Sequence, residues 1–118
     1  MLLSKYIHEQ YNRKRMDNLI EQVKDWGTSK NLLPATDEIM VQAQWDKLQE
    51  EVYELCDEIM RKDYSKSRME LGDVLVVCTL LAYQLGATPQ ECLGMAYEKI
   101  SKRTGKTIDG QFVKDKEV

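Results

Sequence analysis

The sequence predicts an all-α protein, a bundle of about four helices in one domain spanning residues 1–118. Apolar residues recur at periods near 3.6, and only two prolines and six glycines interrupt the 118 residues. Ser, Thr and Asp stand where helices should begin. A chain this long buries one core and has no material for a second. Seventeen Lys plus Arg stand against twenty Asp plus Glu, with 31% charged and 42% hydrophobic residues. That balance is ordinary for a folded globular chain and argues against disorder.

A first helix is expected over residues 4–25, where Ile7, Tyr11, Leu19, Ile20, Val23 and Trp26 form a partial stripe around a solvated middle, Asn12 to Asn18. Gly, Ser, Asn and Pro between Gly27 and Thr36 mark a loop that closes the N-terminal part, 1–36. Thr36 or Asp37 then caps a second helix running to about Arg61. Its apolar positions, Val41, Trp45, Leu48, Val52, Leu55 and Ile59, alternate by four and three, which makes a seam for packing against other helices.

A third helix is expected to start near Ser65 or Ser67, the latter giving a capping box with Glu70. From Val74 to Leu85 it is apolar on nearly every side, which places it at the centre of a bundle. Gly86 supplies its stop. Thr88-Pro89-Gln90-Glu91 joins an N-cap Thr, a first-turn Pro and a Glu three residues after the cap, so a fourth helix should run from there to about Arg103. The helices carrying chemistry thus fall within 37–104. Residues 105–118, with Gly105, Gly110 and alternating charges, describe an irregular or short extended tail.

Two spacings of acid stand out: Glu50-Glu51-x-x-Glu54 and, after fifteen further residues, Glu70-x-x-Asp73. Residues three or four apart share a helix face, so a helical hairpin can set the two acidic patches against each other. At about 100° per residue Glu51 lies beside the apolar seam, with Glu54 and Glu58 on the same flank, while Glu70 and Asp73 fall among Val74 and Val77. Carboxylates facing a core cost several kcal/mol in desolvation unless something compensates them. A hard divalent cation does so: magnesium, or manganese as a substitute, takes oxygen ligands and leaves positions for phosphate oxygens. His8 is the one histidine, which excludes a His-based zinc site and a ferritin-like di-iron site. The competing reading is a solvated surface, and Glu70 in a first turn gains from the helix dipole without any metal.

With these motifs and the run ELGDVLVVCTLLAYQLG on the page, the chain resembles the MazG-like family of all-α nucleoside triphosphate pyrophosphohydrolases. The resemblance extends to Trp26 ahead of Asn31-Leu32-Leu33, to Gln44-x-x-Lys47-Leu48-x-Glu50-Glu51, to Lys99-x-x-x-Arg103-x-Gly105-Lys106 and to Asp109-Gly110-x-Phe112-x-Lys114, covering roughly residues 20–114. It implies magnesium-dependent cleavage of a nucleoside triphosphate between the α and β phosphates. By resemblance Glu51, Glu54, Glu70 and Asp73 are metal ligands, and Glu50 orients or deprotonates the attacking water. Two other readings stay open: a superfamily member with a narrower substrate, such as dUTP, dCTP or phosphoribosyl-ATP, and a non-catalytic helical adaptor or regulator.

A triphosphate also needs cations from the protein. Lys99, Lys102, Arg103 and Lys106 gather four positive charges with no acid between them, and Arg forks onto phosphate where Lys acts as a point charge. Lys47, one turn before Glu51, is a further candidate for phosphate and equally an i,i+4 partner of the acids. Trp26 and Trp45 are the aromatic candidates for stacking on a base. Trp45 sits in the seam and reads as core, whereas Trp26 borders a loop beside Asn31, so Trp26 and Asn31 are the expected base contacts.

Helix three has more apolar surface than three short neighbours cover, and the resemblance likewise implies a homodimer or a dimer of dimers. The net charge of -3 and the short basic cluster argue against nucleic-acid binding. The longest apolar run, Val74 to Ala82, is far short of the roughly 20 residues that cross a bilayer, and no signal core opens the chain. No membrane association is expected. Cys56, Cys78 and Cys92 lack C-x-x-C spacing, which suits small buried hydrophobes in a reducing cytoplasm.

Overall fold

A computed structural model describes residues 2–116. Four helices, α1 (Leu2–Ser29), α2 (Glu38–Met60), α3 (Tyr64–Gln84) and α4 (Pro89–Ile100), are followed by strands β1 (Gly105–Ile108) and β2 (Gln111–Lys114). The expected four helices are all present.

Helix α1 continues through Gly27, Thr28 and Ser29 rather than ending at residue 25. The hydroxyls that look like loop formers serve its last turn: Thr28 Oγ1 donates to the Lys24 carbonyl and Ser29 Oγ to the Trp26 carbonyl. Asn31 then ends the helix in the left-handed region, at φ 61°, a conformation Asn tolerates better than most residues.

Asp37 caps α2 by accepting from the Met40 amide, 2.9 Å away. The start of α3 corrects the expected cap. Asp63, not Ser65 or Ser67, accepts from the Lys66 amide at 3.1 Å, and Ser67 lies inside the helix with its Oγ donating to the Asp63 carbonyl. Lys62, at φ 59°, ends α2 and leaves Asp63 as the first side chain free to cap. Thr88 caps α4 as expected, accepting from the Glu91 amide. Helix α4 ends three residues early, at Ile100, and lies at 95° to α3.

The tail is not irregular: β1 and β2 form an antiparallel hairpin in which Ile108 pairs with Gln111 and Gly105 with Lys114. Asp109 and Gly110 both take positive φ, 50° and 81°, the pattern of a type I′ turn. A side chain at Gly105 would strike the Val113 carbonyl. Residues 117 and 118 of the expected tail lie outside the described residues.

Helices α2 and α3 form the central hairpin, and the second half of α1 lies across α3. Lys24 stands 5.1 Å from the centroid of the Tyr83 ring, and Gln84 Nε2 donates to the Leu32 carbonyl at 3.0 Å. Leu33, Val77, Leu80 and Ala82 are the buried apolar side chains. Gly27 belongs to this centre, because a Cβ there would stand 2.5 Å from Leu80 Cδ2.

Two stripes run side by side along α2. The one turned inward holds Val41, Gln44, Leu48, Glu51, Leu55 and Glu58, all buried or half-buried. The apolar seam expected from sequence shares Val41, Leu48 and Leu55 with it, but Trp45, Val52 and Ile59 remain exposed. Helix α3 likewise leaves Leu71, Leu75 and Leu85 exposed, so it is not surrounded on all sides within one chain. Trp45, Leu48, Val52, Tyr53, Val74 and Cys78 border a groove of about 490 Å³ on this uncovered side. The three cysteines, expected to be buried, are exposed.

The chain exposes 9987 Å², whereas a compact protein of its mass should expose about 6,600 Å². Its radius of gyration is 17.5 Å, against about 13 to 14 Å for a compact domain of this length. The apolar surface it fails to cover lies mainly on α2, α3, α4 and the first half of α1. Among the described residues no single helix is long and apolar enough to cross a membrane.

Candidate active site

The hairpin of α2 and α3 brings the two acidic motifs together. One carboxylate oxygen each from Glu51, Glu70 and Asp73 lies within 4.8 Å of the others. The spacing on α2 turns Glu51 inward to 7% exposure, because it shares the stripe of Leu48 and Leu55. Glu70 and Asp73 meet it from the first half of α3, three residues apart on one face.

The charges are poorly compensated by protein. Glu51 Oε2 and Glu70 Oε2 are sealed from solvent and have no hydrogen-bond partner. Two unit charges 4.8 Å apart repel by about 3 kcal/mol at an effective dielectric near 20. Lys47 gives partial relief: its Nζ lies 3.3 Å from Glu51 and 3.5 Å from Glu50. In return Lys47 holds its proton above the ordinary range, chiefly through the hydrogen bond to Glu51 and then the charge of Glu50.

Glu54 lies outside the three-oxygen group and yet feels it. Its carboxyl is raised above the ordinary range, first by the charge of Glu51, then by desolvation, then by a hydrogen bond to Glu51 and the charge of Glu70. A carboxyl gives up its proton less readily where negative charge has accumulated. A hard cation relieves the same repulsion, and an all-oxygen donor set with unpartnered buried oxygens suits magnesium or manganese rather than a softer metal.

Beside the acids opens a cavity of about 580 Å³, into which Glu51 and Asp73 project one wall while Lys47, Trp26, Gln44 and Gln84 contribute others. Leu32, Met40, Ala43, Val76, Val77 and Leu80 make the rest apolar. Trp26, an expected base contact, borders this cavity from within α1 rather than from a loop. Asn31 does not border this cavity and instead ends α1. Trp45 belongs to the groove on the other side of the hairpin.

The basic residues form a second recess. Lys99, Lys102 and Arg103 surround a space of about 410 Å³ with Thr104, Lys114 and Asp115. The Asp115 amide donates to the Thr104 carbonyl at 2.9 Å, which ties the hairpin strand carrying Lys114 to the end of α4. Lys106 is on β1 and does not border the recess. This recess and the acidic cavity share no residue, so Lys47 is the cation that meets the carboxylates in the acidic cavity, while Lys99, Lys102 and Arg103 border a separate space.

Gln44, Gln84 and Lys114 line these two spaces, and the sequence reading quoted them within its motifs without giving any of them a role. Gln44 was readable, since it precedes Glu51 by seven residues and so shares its face. Gln84 and Lys114 reach their places only through the crossing of α1 and the closure of the hairpin.

The family model of the MazG nucleotide pyrophosphohydrolase domain matches residues 41–107, which hold the whole acidic hairpin and the basic turn. No curated protein and no solved structure matched the chain.

Proposed function

Since the chain belongs to the MazG nucleotide pyrophosphohydrolase family, whose members are hydrolases acting on phosphoric anhydrides, we propose that it cleaves nucleoside triphosphates between the α and β phosphates. The products are a nucleoside monophosphate and pyrophosphate. The observation that carries this reading is the convergence of Glu51, Glu70 and Asp73 within 4.8 Å, with two buried oxygens unpartnered, beside a cavity of about 580 Å³ that Glu51 and Asp73 line.

Glu51, Glu70 and Asp73 hold magnesium, with Glu54 as the fourth carboxylate of the set. When bound, the ion supplies charge neutralisation for the phosphates and for the leaving pyrophosphate. Glu50, exposed one residue before Glu51 and 3.5 Å from Lys47, takes the proton of the attacking water. The water oxygen bonds to the α phosphorus as the bond from that phosphorus to the bridging oxygen breaks. Lys47 is placed to exchange its carboxylate partners for a phosphate oxygen. Purified protein with magnesium and a panel of triphosphates should release pyrophosphate, and EDTA should stop the release. Turnover that persists without divalent cations would defeat the reading, and an absence of turnover on every triphosphate would favour the helical adaptor.

The active unit is a homo-oligomer. The excess exposure of about 3,300 Å² per chain, or about 6,600 Å² over two chains, is on the scale of the largest obligate interfaces. The exposed stripe of Trp45, Val52 and Ile59 with the groove beside Cys78 supplies an apolar surface, and in this reading Lys99, Lys102 and Arg103 of one copy serve the carboxylates of the other. Light scattering should give at least twice the mass of one chain, and Val52→Glu should reduce it. A monomer at micromolar concentration would contradict this arrangement.

A further inference from the structure

Gln44 is 6% exposed and borders the acidic cavity, yet its carboxamide bonds to no described residue. Its amide atoms are not sealed off, unlike Gln84 Oε1 in the same wall, so the small exposure that remains faces the cavity. A carboxamide open to a cavity offers a ligand a donor and an acceptor side by side, and a ligand lacking the complementary groups leaves them unpaired.

The position is ordered along α2. Gln44, Lys47 and Glu51 occur at steps of three and four on one face, and at about 1.5 Å per residue roughly 10 Å separates Gln44 from Glu51 along the axis. A carboxamide, an ammonium and a metal-binding carboxylate thus follow one another in the order that a nucleotide presents its base, phosphates and bound cation. Trp26 borders the same cavity and offers an aromatic face. Gln84 Nε2 fixes the chain at Leu32, which keeps α1, and with it Trp26, across from α3.

We propose that Gln44 is the base-reading residue of this site, pairing its carboxamide with a base edge that offers a hydrogen-bond donor beside an acceptor. The inference rests on the nucleotide reading above and adds the group that selects among bases. Carboxamides make such paired contacts with base edges, and a site built to bond a substrate N–H discriminates strongly against an analogue that lacks it.

The test is a comparison of kcat/KM for each natural triphosphate with that for an analogue lacking the edge donor: purine riboside triphosphate against ATP, 2-pyrimidinone deoxyriboside triphosphate against dCTP, and N-methylated analogues for guanine and uracil. For the preferred base the analogue should be worse by about 100-fold in the native protein. Gln44→Leu should collapse that ratio toward one, mainly through KM for the natural substrate. Gln44→Glu, which removes the donor and keeps the shape, should lower the ratio as well. If native protein treats both members of a pair alike, or if Gln44→Leu leaves the ratio intact, the assignment of Gln44 is wrong and the hydrolase reading stands. If no triphosphate is hydrolysed with magnesium present, both fall together.

Discussion

Replacing Glu51 by Gln should lower kcat/KM by about 1,000-fold, equivalent to roughly 4 kcal/mol of lost transition-state stabilisation, while the chain stays folded. The two parts of that expectation have different causes. Activity falls because Glu51 is the most buried of the three converging carboxylates, and an amide gives a cation far less than a carboxylate does. Folding is retained because Gln keeps the volume and removes a buried negative charge whose Oε2 has no partner; the lost Lys47 pair is a half-exposed contact of 3.3 Å, and such pairs contribute little. The measurement is pyrophosphate release together with Tm with and without magnesium. The native Tm should rise with magnesium, and that of Glu51→Gln should move much less. Full activity in the variant would remove Glu51 from the metal site.

Leu80→Ala should cost about 3 kcal/mol and lower Tm by on the order of 10 °C. Leu80 is 2% exposed, the largest fully buried side chain among the described residues, and it fills the space over Gly27 where α1 crosses α3. With few other apolar side chains fully buried, the neighbours have little freedom to collapse into the hole. The effect should extend to function, since Leu80 also borders the acidic cavity with Trp26 and Gln84. Thermal melts at one fixed protomer concentration check the cost, because assembly and folding are linked by mass action. A loss under about 1 kcal/mol would mean that this crossing is not the core of the fold.

Much of this architecture was legible in the residues. The four helices, the Asp37 and Thr88 caps and the inward turn of Glu70 follow from periodicity and capping chemistry, which act over one or two turns, whereas Asp73, expected to face inward with it, is exposed. The misread points are those where two local signals compete. Asp63 and Ser67 can both begin α3, and the left-handed Lys62 decides for Asp63. Gly27 to Ser29 read as a loop, yet the close approach of Leu80 needs a glycine there, and the hydroxyls of Thr28 and Ser29 bond back to the helix. The hairpin carried a usable signal in Asp109-Gly110, whose positive φ values suit a two-residue turn. The alternating charges beside it obscured that signal. The distance between the basic recess and the acidic cavity was not legible, because the sequence spacing of Lys99 to Lys106 says nothing of the 95° corner before α4.

The paired stripes of α2 limit how far this helix can vary. Val41, Leu48 and Leu55 belong to both, so any change of shape at one of them is transmitted to the hairpin partner and to the uncovered groove together. Gln44, Glu51 and Trp45, Val52 and Ile59 occupy the two remaining edges. What is left is a narrow outer strip, where Gln42 and Asp46 already bond to each other at 3.1 Å and where Asp57 meets solvent. Mutational freedom in α2 is therefore confined to about a third of its circumference.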